Sequence, residues 1–305
     1  MEKILVTGGA GFIGSHLVKR LVQDGNEVVV ADIMLRGNKI ESDILKKCDF
    51  HNADVRDAKA MMELSKGCSK IYHFAAVLGV DVVADNPVET MDTEVIGMRN
   101  IANAAITHGI NKIIYASTSG IYGHSAISQS GGEKIVVDPR TSYAIAKRYN
   151  EIYLGAQYDE KGLESVCLRF FNVYGKNQDN RMVIPRFIEQ AQEGQGITVF
   201  GNGQQTRDFT YIDDAVEACI KLSENMVGSE IYNIACGEET TIHTLAEAIL
   251  EATESDSEIK LVDAPKKRYD YEVERRYGNS DKLFNKTGFR PNTKLVEGLK
   301  MTIGK

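Results

Sequence analysis

Lys3-Ile4-Leu5-Val6-Thr7-Gly8-Gly9-Ala10-Gly11-Phe12-Ile13-Gly14 is the stretch on which the reading of this chain turns. Its first five residues form a short apolar run, the mark of a strand buried on both faces of a parallel sheet. After the glycines, Phe12, Ile13, Leu17, Leu21 and Val22 recur at helical spacing as far as Asp24, and Gly25-Asn26 stops that helix. Glu27 to Asp32 is then a second strand. The alternation continues, with strands expected near 48–52, 70–74, 112–117 and 164–170. Helices are expected near 57–66, 88–108, 141–161 and 182–194.

Parallel strands joined by crossover helices predict an α/β fold, a doubly wound (Rossmann) parallel sheet. From about residue 173 the pattern is more mixed. Gly194, Gly196, Gly201 and Gly203 punctuate short strands, and helices follow near 212–224, 241–253 and 294–302. This part predicts a smaller C-terminal substrate-binding lobe over the sheet's C-terminal edge. The organisation expected is therefore residues 1–172 for the nucleotide-binding domain and 173–305 for the second lobe. The chain is free to cross between them more than once.

The glycines read as Gly8-x-x-Gly11-x-x-Gly14 and also as Gly9-x-Gly11-x-x-Gly14. Without a Cβ, backbone N–H groups at a helix N-terminus can approach a pyrophosphate. A bare glycine triplet says little, but this one follows a strand, opens a helix and is trailed by Asp32 at the end of the next strand. A carboxylate there accepts hydrogen bonds from both ribose hydroxyls of NAD and repels a 2′-phosphate. Ile33, not an arginine, comes next, so NAD is expected rather than NADP. Asp54-Val55 ends a later strand, where it either sits beside the adenine or simply turns the chain into the helix near Asp57.

A second motif is Ser142-Tyr143-Ala144-Ile145-Ala146-Lys147. Residues i and i+4 share a helix face, so a phenol and an ammonium lie side by side. A free tyrosine titrates near 10 and is a poor base at neutral pH. A neighbouring ammonium favours the phenolate, as would the positive nicotinamide of the cofactor. A shift of ~3 units needs ~4 kcal/mol of differential stabilisation. A third group should orient a substrate hydroxyl, and Ala116-Ser117-Thr118-Ser119 offers one at the end of an apolar strand. Glycine loop, Tyr/Lys pair and hydroxyl cluster together point to redox chemistry on an alcohol.

The 305 residues are 43% hydrophobic and 26% charged, ordinary for a globular protein with an ample core. The net charge of −7 comes without a long basic run, which argues against nucleic-acid binding. Lys266-Lys267-Arg268 reads as a solvated turn after Pro265. Cys48, Cys68, Cys167, Cys219 and Cys236 are scattered with no Cys-x-x-Cys pair, which predicts reduced thiols in the cytosol and no metal site. Met1-Glu2 runs straight into the first strand, and no apolar stretch is long enough to span a bilayer. A cytoplasmic protein is expected.

Taken together, these segments resemble the extended short-chain dehydrogenase/reductase family, in its sugar-nucleotide epimerase/dehydratase branch (UDP-glucose 4-epimerase-like). The likeness runs through 7–16, Asp54-Val55-Arg56-Asp57, His73-Phe74-Ala75-Ala76, the Ser/Thr cluster before Ile121-Tyr122-Gly123, Tyr143 to Lys147, Leu168 to Gly175 and Gly203 to Asp214. It implies that Tyr143 is the acid/base, Lys147 its partner, and Thr118 the hydroxyl on the reacting sugar oxygen. It implies that Phe12 and Ile13 cover the pyrophosphate with Gly8, Gly11 and Gly14. Asp32, Asp54 and Val55 would hold the adenosine half. Phe74, Ala75 and Ala76 would line the cofactor's path, Phe171 would lie near the nicotinamide, and Asn172 and Arg207 would bind the substrate diphosphate. Arg268, Asp270 or Arg276 is expected to add a nucleotide contact.

Two departures from the family pattern bear on the reaction. Ser119-Gly120 stands where dehydratases carry an Asp-Glu pair and decarboxylases usually a Glu at the Gly120 position. Removing a C5 proton needs a base, and Gly120 is none. That argues against a dehydratase and less firmly against a decarboxylase. It leaves reversible oxidation at C4, so the expected activity is an NAD-dependent nucleotide-sugar 4-epimerase, on a UDP-sugar from family frequency. The alternatives are a UDP-glucuronate decarboxylase, a 4-keto-sugar reductase and, more remotely, a non-catalytic NAD-binding module. The second departure is Glu94 in Glu94-Val95-Ile96-Gly97, where the family usually has asparagine. Apolar residues on several faces of the helices near 88–108 and 141–161 fit two-sided packing within the monomer. The resemblance implies instead that these helices pair across a homodimer.

Overall fold

In a computed structural model, residues 1–77, 83, 85–263 and 273–305 are described. They fall into two compact units. The first comprises Met1–Ile121, Pro139–Arg169 and Val216–Tyr232; the second comprises Tyr122–Asp138, Phe170–Ala215 and Asn233–Lys305.

The first unit is built on strands β1 (Lys3–Thr7), β2 (Glu27–Asp32), β3 (Cys48–Asn52), β4 (Lys70–His73), β5 (Lys112–Thr118) and β6 (Glu164–Phe170), with Ser229–Ile234 at the edge. Their order is Ser229–Ile234, β6, β5, β4, β1, β2, β3. β1 pairs in parallel with β2 (Thr7 opposite Ala31) and with β4 (Thr7 opposite His73). The strand order reverses between β1 and β4, and in such sheets ligands bind outside the carboxyl ends of the strands at that switch point. Leu5, Val29, Ile71, Ile113 and Tyr115 pack there with Met98, Ile101 and Leu154 from the Pro87–His108 and Ser142–Lys161 helices. Each such fully buried aliphatic side chain contributes about 1.5–3 kcal/mol. That burial on both faces is why these strands read as unbroken apolar runs.

The second unit is more fragmented. Asn172–Tyr174 pairs in parallel with Phe209–Tyr211, and Ile197–Phe200 with Ile259–Val262. Thr206–Arg207 is the centre of a three-stranded sheet, flanked by Thr240–Thr241 and Arg275–Arg276. Tyr122, Ala126, Phe171 and Ala235 form one of its apolar clusters. Asn233 ties that cluster to its loops: Oδ1 accepts from the Tyr122 hydroxyl at 2.7 Å, and Nδ2 donates to the carbonyls of Gly131 and Asn279 at 2.7 and 3.0 Å.

Candidate active site

The glycine loop sits at the switch point because β1 ends there. Gly8 has φ +71°, and a Cβ on it would lie 2.5 Å from the Phe74–Ala75 backbone that follows β4. A Cβ on Gly14 would lie 2.1 Å from the Gly8 carbonyl oxygen. Only glycine closes this turn. The helix Phe12–Gln23 begins on Gly11 with no side-chain cap, so among the described residues no capping side chain takes up its first N–H groups. A cradle of this kind, with an uncapped helix start, fits the pyrophosphate of a dinucleotide.

Asp32 ends β2. Its Oδ2 accepts from Ala10 N–H at 2.9 Å and its Oδ1 from Met34 N–H at 2.7 Å. Burial pushes its carboxyl up and these N–H groups pull it back. The residue thus braces the glycine loop as well as presenting a carboxylate, a duty not foreseen from the sequence. A carboxylate has about four acceptor sites, so capacity for ribose hydroxyls is left. Asp54 is gripped by Arg56, with Oδ2 2.6 Å from Nη2, and this guanidinium holds its carboxyl below the usual range. Val55 is buried, and its carbonyl accepts from Asn100 Nδ2 at 2.9 Å. Phe74 is anchored by its N–H to the Thr7 carbonyl at 3.0 Å, and Ala75 and Ala76 follow it, half-buried. His73, fully buried and pushed down to about 3 by burial and then by Lys147, is neutral, with Nδ1 2.7 Å from Thr7 Oγ1.

The helix Ser142–Lys161 starts on Thr141, whose hydroxyl accepts from Ala144 N–H at 3.1 Å. That cap aligns the first turn and carries Tyr143 and Lys147 on one face. Lys147 Nζ donates to the Ala116 carbonyl at 2.7 Å and lies 3.0 Å from Glu94 Oε1. It is 4.7 Å from the Tyr115 ring centre and 5.4 Å from that of Tyr143. The Thr118 hydroxyl accepts from Gly120 N–H at 3.0 Å, and it favours ionisation of the Tyr143 phenol.

Within the hydroxyl cluster, tertiary packing separates the candidates. Ser117 Oγ donates to Glu151 Oε1 at 2.7 Å and is committed to the interior, whereas Thr118 is half-buried and is the hydroxyl that acts on the Tyr143 phenol. Lys147 Nζ, 5.4 Å from the Tyr143 ring centre, favours the phenolate, and two other influences oppose it. Burial pushes Tyr143 up, and Glu94 pushes it further, against the Thr118 bond. The carboxylate at 94 offsets the ammonium's charge. At Gly120 a Cβ would meet Thr118 Oγ1 at 3.3 Å and Ala144 Cβ at 4.0 Å, so the position is nearly roomy enough for a side chain, yet carries no base.

In the second unit, Phe171 packs in the Tyr122 cluster, and Asn172 N–H donates to the Asp208 carbonyl at 3.0 Å. Asp208, buried and pushed up by burial, accepts from the N–H groups of Cys236, Gly237 and Gly278 at 3.0, 2.9 and 3.2 Å. It staples two loops beside Arg207, and sequence reasoning passed it over although it stands next to that arginine. Arg276 lies opposite Arg207 in strand register. Arg268 and Asp270 lie outside the described residues.

Doubly wound sheet, glycine cradle and Tyr-x-x-x-Lys helix define the class, a dinucleotide-dependent dehydrogenase/reductase fold. The chain belongs to the NAD-dependent epimerase/dehydratase family, whose profile matches residues 4–235. It is 37% identical over 315 residues to a UDP-N-acetyl-alpha-D-glucosaminuronate decarboxylase of Bacillus cytotoxicus, covering 99% of this chain and 97% of that one. A UDP-glucose 4-epimerase of Thermotoga maritima, solved with UDP-glucose, superposes with a TM-score of 0.92 at 32% identity, covering 99% and 97%. The Thermus thermophilus UDP-glucose 4-epimerase, solved with NAD, superposes at 0.88 with 30% identity, covering 99% and 97%. The family's cofactor is NAD, and the cradle and Asp32 suit it. Among the described residues no helix is long and apolar enough to cross a membrane.

Proposed function

We propose that this protein is an NAD-dependent nucleotide-sugar 4-epimerase acting on a UDP-linked sugar. The observation that carries the reading is the Tyr143/Lys147 pair with Thr118 on the neighbouring strand, a set for oxidation at C4, beside a Gly120 that offers no base for the C5 proton removal a dehydratase needs. When bound, NAD supplies reversible two-electron oxidation at the sugar's C4 carbon. Tyr143 takes the 4-hydroxyl proton and returns it after the keto sugar has turned its other face. Thr118 orients the oxygen, and Lys147 stabilises the phenolate and holds the nicotinamide ribose. Gly8, Gly11, Gly14, Phe12 and Ile13 hold the pyrophosphate, Asp32 the ribose, and Asp54 with Val55 the adenine. Phe74, Ala75 and Ala76 line the cofactor's path and Phe171 lies near the nicotinamide. Asn172 and Arg207 bind the substrate diphosphate. Arg207 and Arg276 stand in register on adjacent strands, and the planar guanidinium fork matches the oxygens of a phosphate.

A second reading, a hexuronate decarboxylase, is favoured by the Bacillus relative. Its chemistry is compatible with Gly120: oxidising C4 of a hexuronate makes a β-keto acid, which loses carbon dioxide without proton abstraction from C5. Chromatography with mass detection after incubation with UDP-glucose, UDP-N-acetylglucosamine and the two matching uronates separates the readings. A new peak of unchanged mass establishes the epimerase. Loss of carbon dioxide establishes the decarboxylase. Retention of turnover by Tyr143→Phe would overturn both.

The Pro87–His108 and Ser142–Lys161 helices pack together and leave Val88, Ile96, Ile145 and Ile152 exposed. We take a second copy of the chain to cover this face in a cytoplasmic homodimer. Sedimentation should report a dimer, and Ile152→Glu, at a site 58% exposed, should give a folded monomer.

A further inference from the structure

Glu94 has no place in the mechanism above, yet it is the most unusual side chain near it. It is fully buried, and a carboxylate is costly there unless paired and hydrogen-bonded. Its carboxylate is tied to Lys147 and to Tyr115. Oε1 lies 3.0 Å from Lys147 Nζ, and Oε2 accepts from the Tyr115 hydroxyl at 2.9 Å. Asn150 Nδ2 donates both to that hydroxyl, at 2.8 Å, and to the Glu94 backbone carbonyl, at 3.0 Å. The asparagine that the family resemblance expects at 94 would bring no charge to this pocket. A glutamate brings one within ion-pair distance of the Lys147 ammonium beside Tyr143.

We propose that Glu94 is a positioning residue for the reaction: it pins the Lys147 ammonium between itself and the Ala116 carbonyl, and by cancelling part of that charge it sets the pH at which Tyr143 works as a base. The inference rests on the reading of Tyr143 and Lys147 given above. The surrounding groups do not replace it in this role. From β4, His73 is neutral. From β5, Tyr115 donates to Glu94 and its phenol is held well above its ordinary value. From β6, Cys167 is a buried thiol pushed well up, and Arg169 is forked onto Glu151. On the helix of Lys147 itself, Glu151 is taken by Arg169, Arg148 and Ser117. Glu94 therefore supplies the negative charge that Lys147 and Tyr143 feel most directly.

The sign follows from electrostatics. A negative charge near a phenol disfavours the phenolate, so neutralising residue 94 lowers the pH at which Tyr143 deprotonates. In Glu94→Gln and Glu94→Asn the ascending limb of the kcat/KM profile should move about one unit toward acid, where a merely structural role would lower stability and leave the limb in place. Ultraviolet difference titration reads the same group without turnover. Tyrosinate in Glu94→Gln, minus that in Glu94→Gln/Tyr143→Phe, should appear at lower pH than in the corresponding wild-type pair. A limb and a titration unmoved in both Glu94→Gln and Glu94→Asn would overturn the proposal. If Tyr143→Phe keeps turnover, the reading of the reaction fails instead, so the two failures are distinguishable.

Discussion

Two buried ion pairs hang from one helix, a turn apart, and they are built to opposite ends. Glu151 accepts Ser117 Oγ and Arg169 Nε on Oε1 and Arg169 Nη2 and Arg148 Nη1 on Oε2, at 2.7–2.9 Å. Its charge is surrounded by donors and saturated. Glu94 meets one ammonium and one phenol, and the ammonium also serves the Ala116 carbonyl beneath Tyr143. Both pairs are shielded from water. The difference is whether the cation is consumed by its partner or shared with a group that must change its protonation. A saturated pair holds β5, β6 and the helix together. A shared pair transmits charge.

The largest expected effect breaks the shared pair. Lys147→Met should lower kcat by about 10²–10⁴-fold in steady-state assays, the range for a lost acid/base partner. The saturated pair should respond the other way. Arg169→Ala leaves Glu151 charged in the interior and should cost about 3–5 kcal/mol in denaturant unfolding, while folded molecules keep most of their kcat. A smaller effect sharpens the contrast between neighbours on one strand. Ser117→Ala should cost about 1 kcal/mol of stability with little change in kcat/KM, whereas Thr118→Ala should lower kcat/KM with little change in stability. Equal effects of the two on activity would mean that the hydroxyls are not divided as described.

The smallest effect concerns pH. Burial raises the Glu94 carboxyl above its ordinary 4.5, against the pull of Lys147 and Tyr115. A raised folded value means that the native state holds the proton more tightly than the unfolded chain. That contribution is fully present below the unfolded value and is lost as pH rises through the folded one. Stability of the wild type measured across that window should therefore fall relative to Glu94→Gln, in which the group does not titrate. Parallel curves would show that Glu94 is ionised equally in both states.

The regular elements of the first unit were legible in the residues. Strands expected at 48–52 and 164–170 span those residues, and the helix expected near 88–108 runs Pro87–His108, because apolar runs and helical periodicity report burial directly. The second unit was less so. Thr206–Arg207 and Arg275–Arg276 are two-residue strands, too short to carry any alternation, and their pairing joins segments far apart in the chain. The Tyr122–Asp138 segment groups with the second unit by contacts that no local pattern encodes.

By itself the sequence determined the doubly wound sheet, the glycine cradle at the end of β1, and Tyr143 and Lys147 on one helix face. Those follow from spacing within single elements and from what glycine alone permits. Tertiary structure decided which hydroxyl of Ser117 and Thr118 is spent on Glu151, that Arg276 stands beside Arg207, and that Glu94 reaches Lys147 from another helix. Charge, burial and hydrogen bonding act through distances in space. Two residues on separate elements acquire a distance only when the chain has folded.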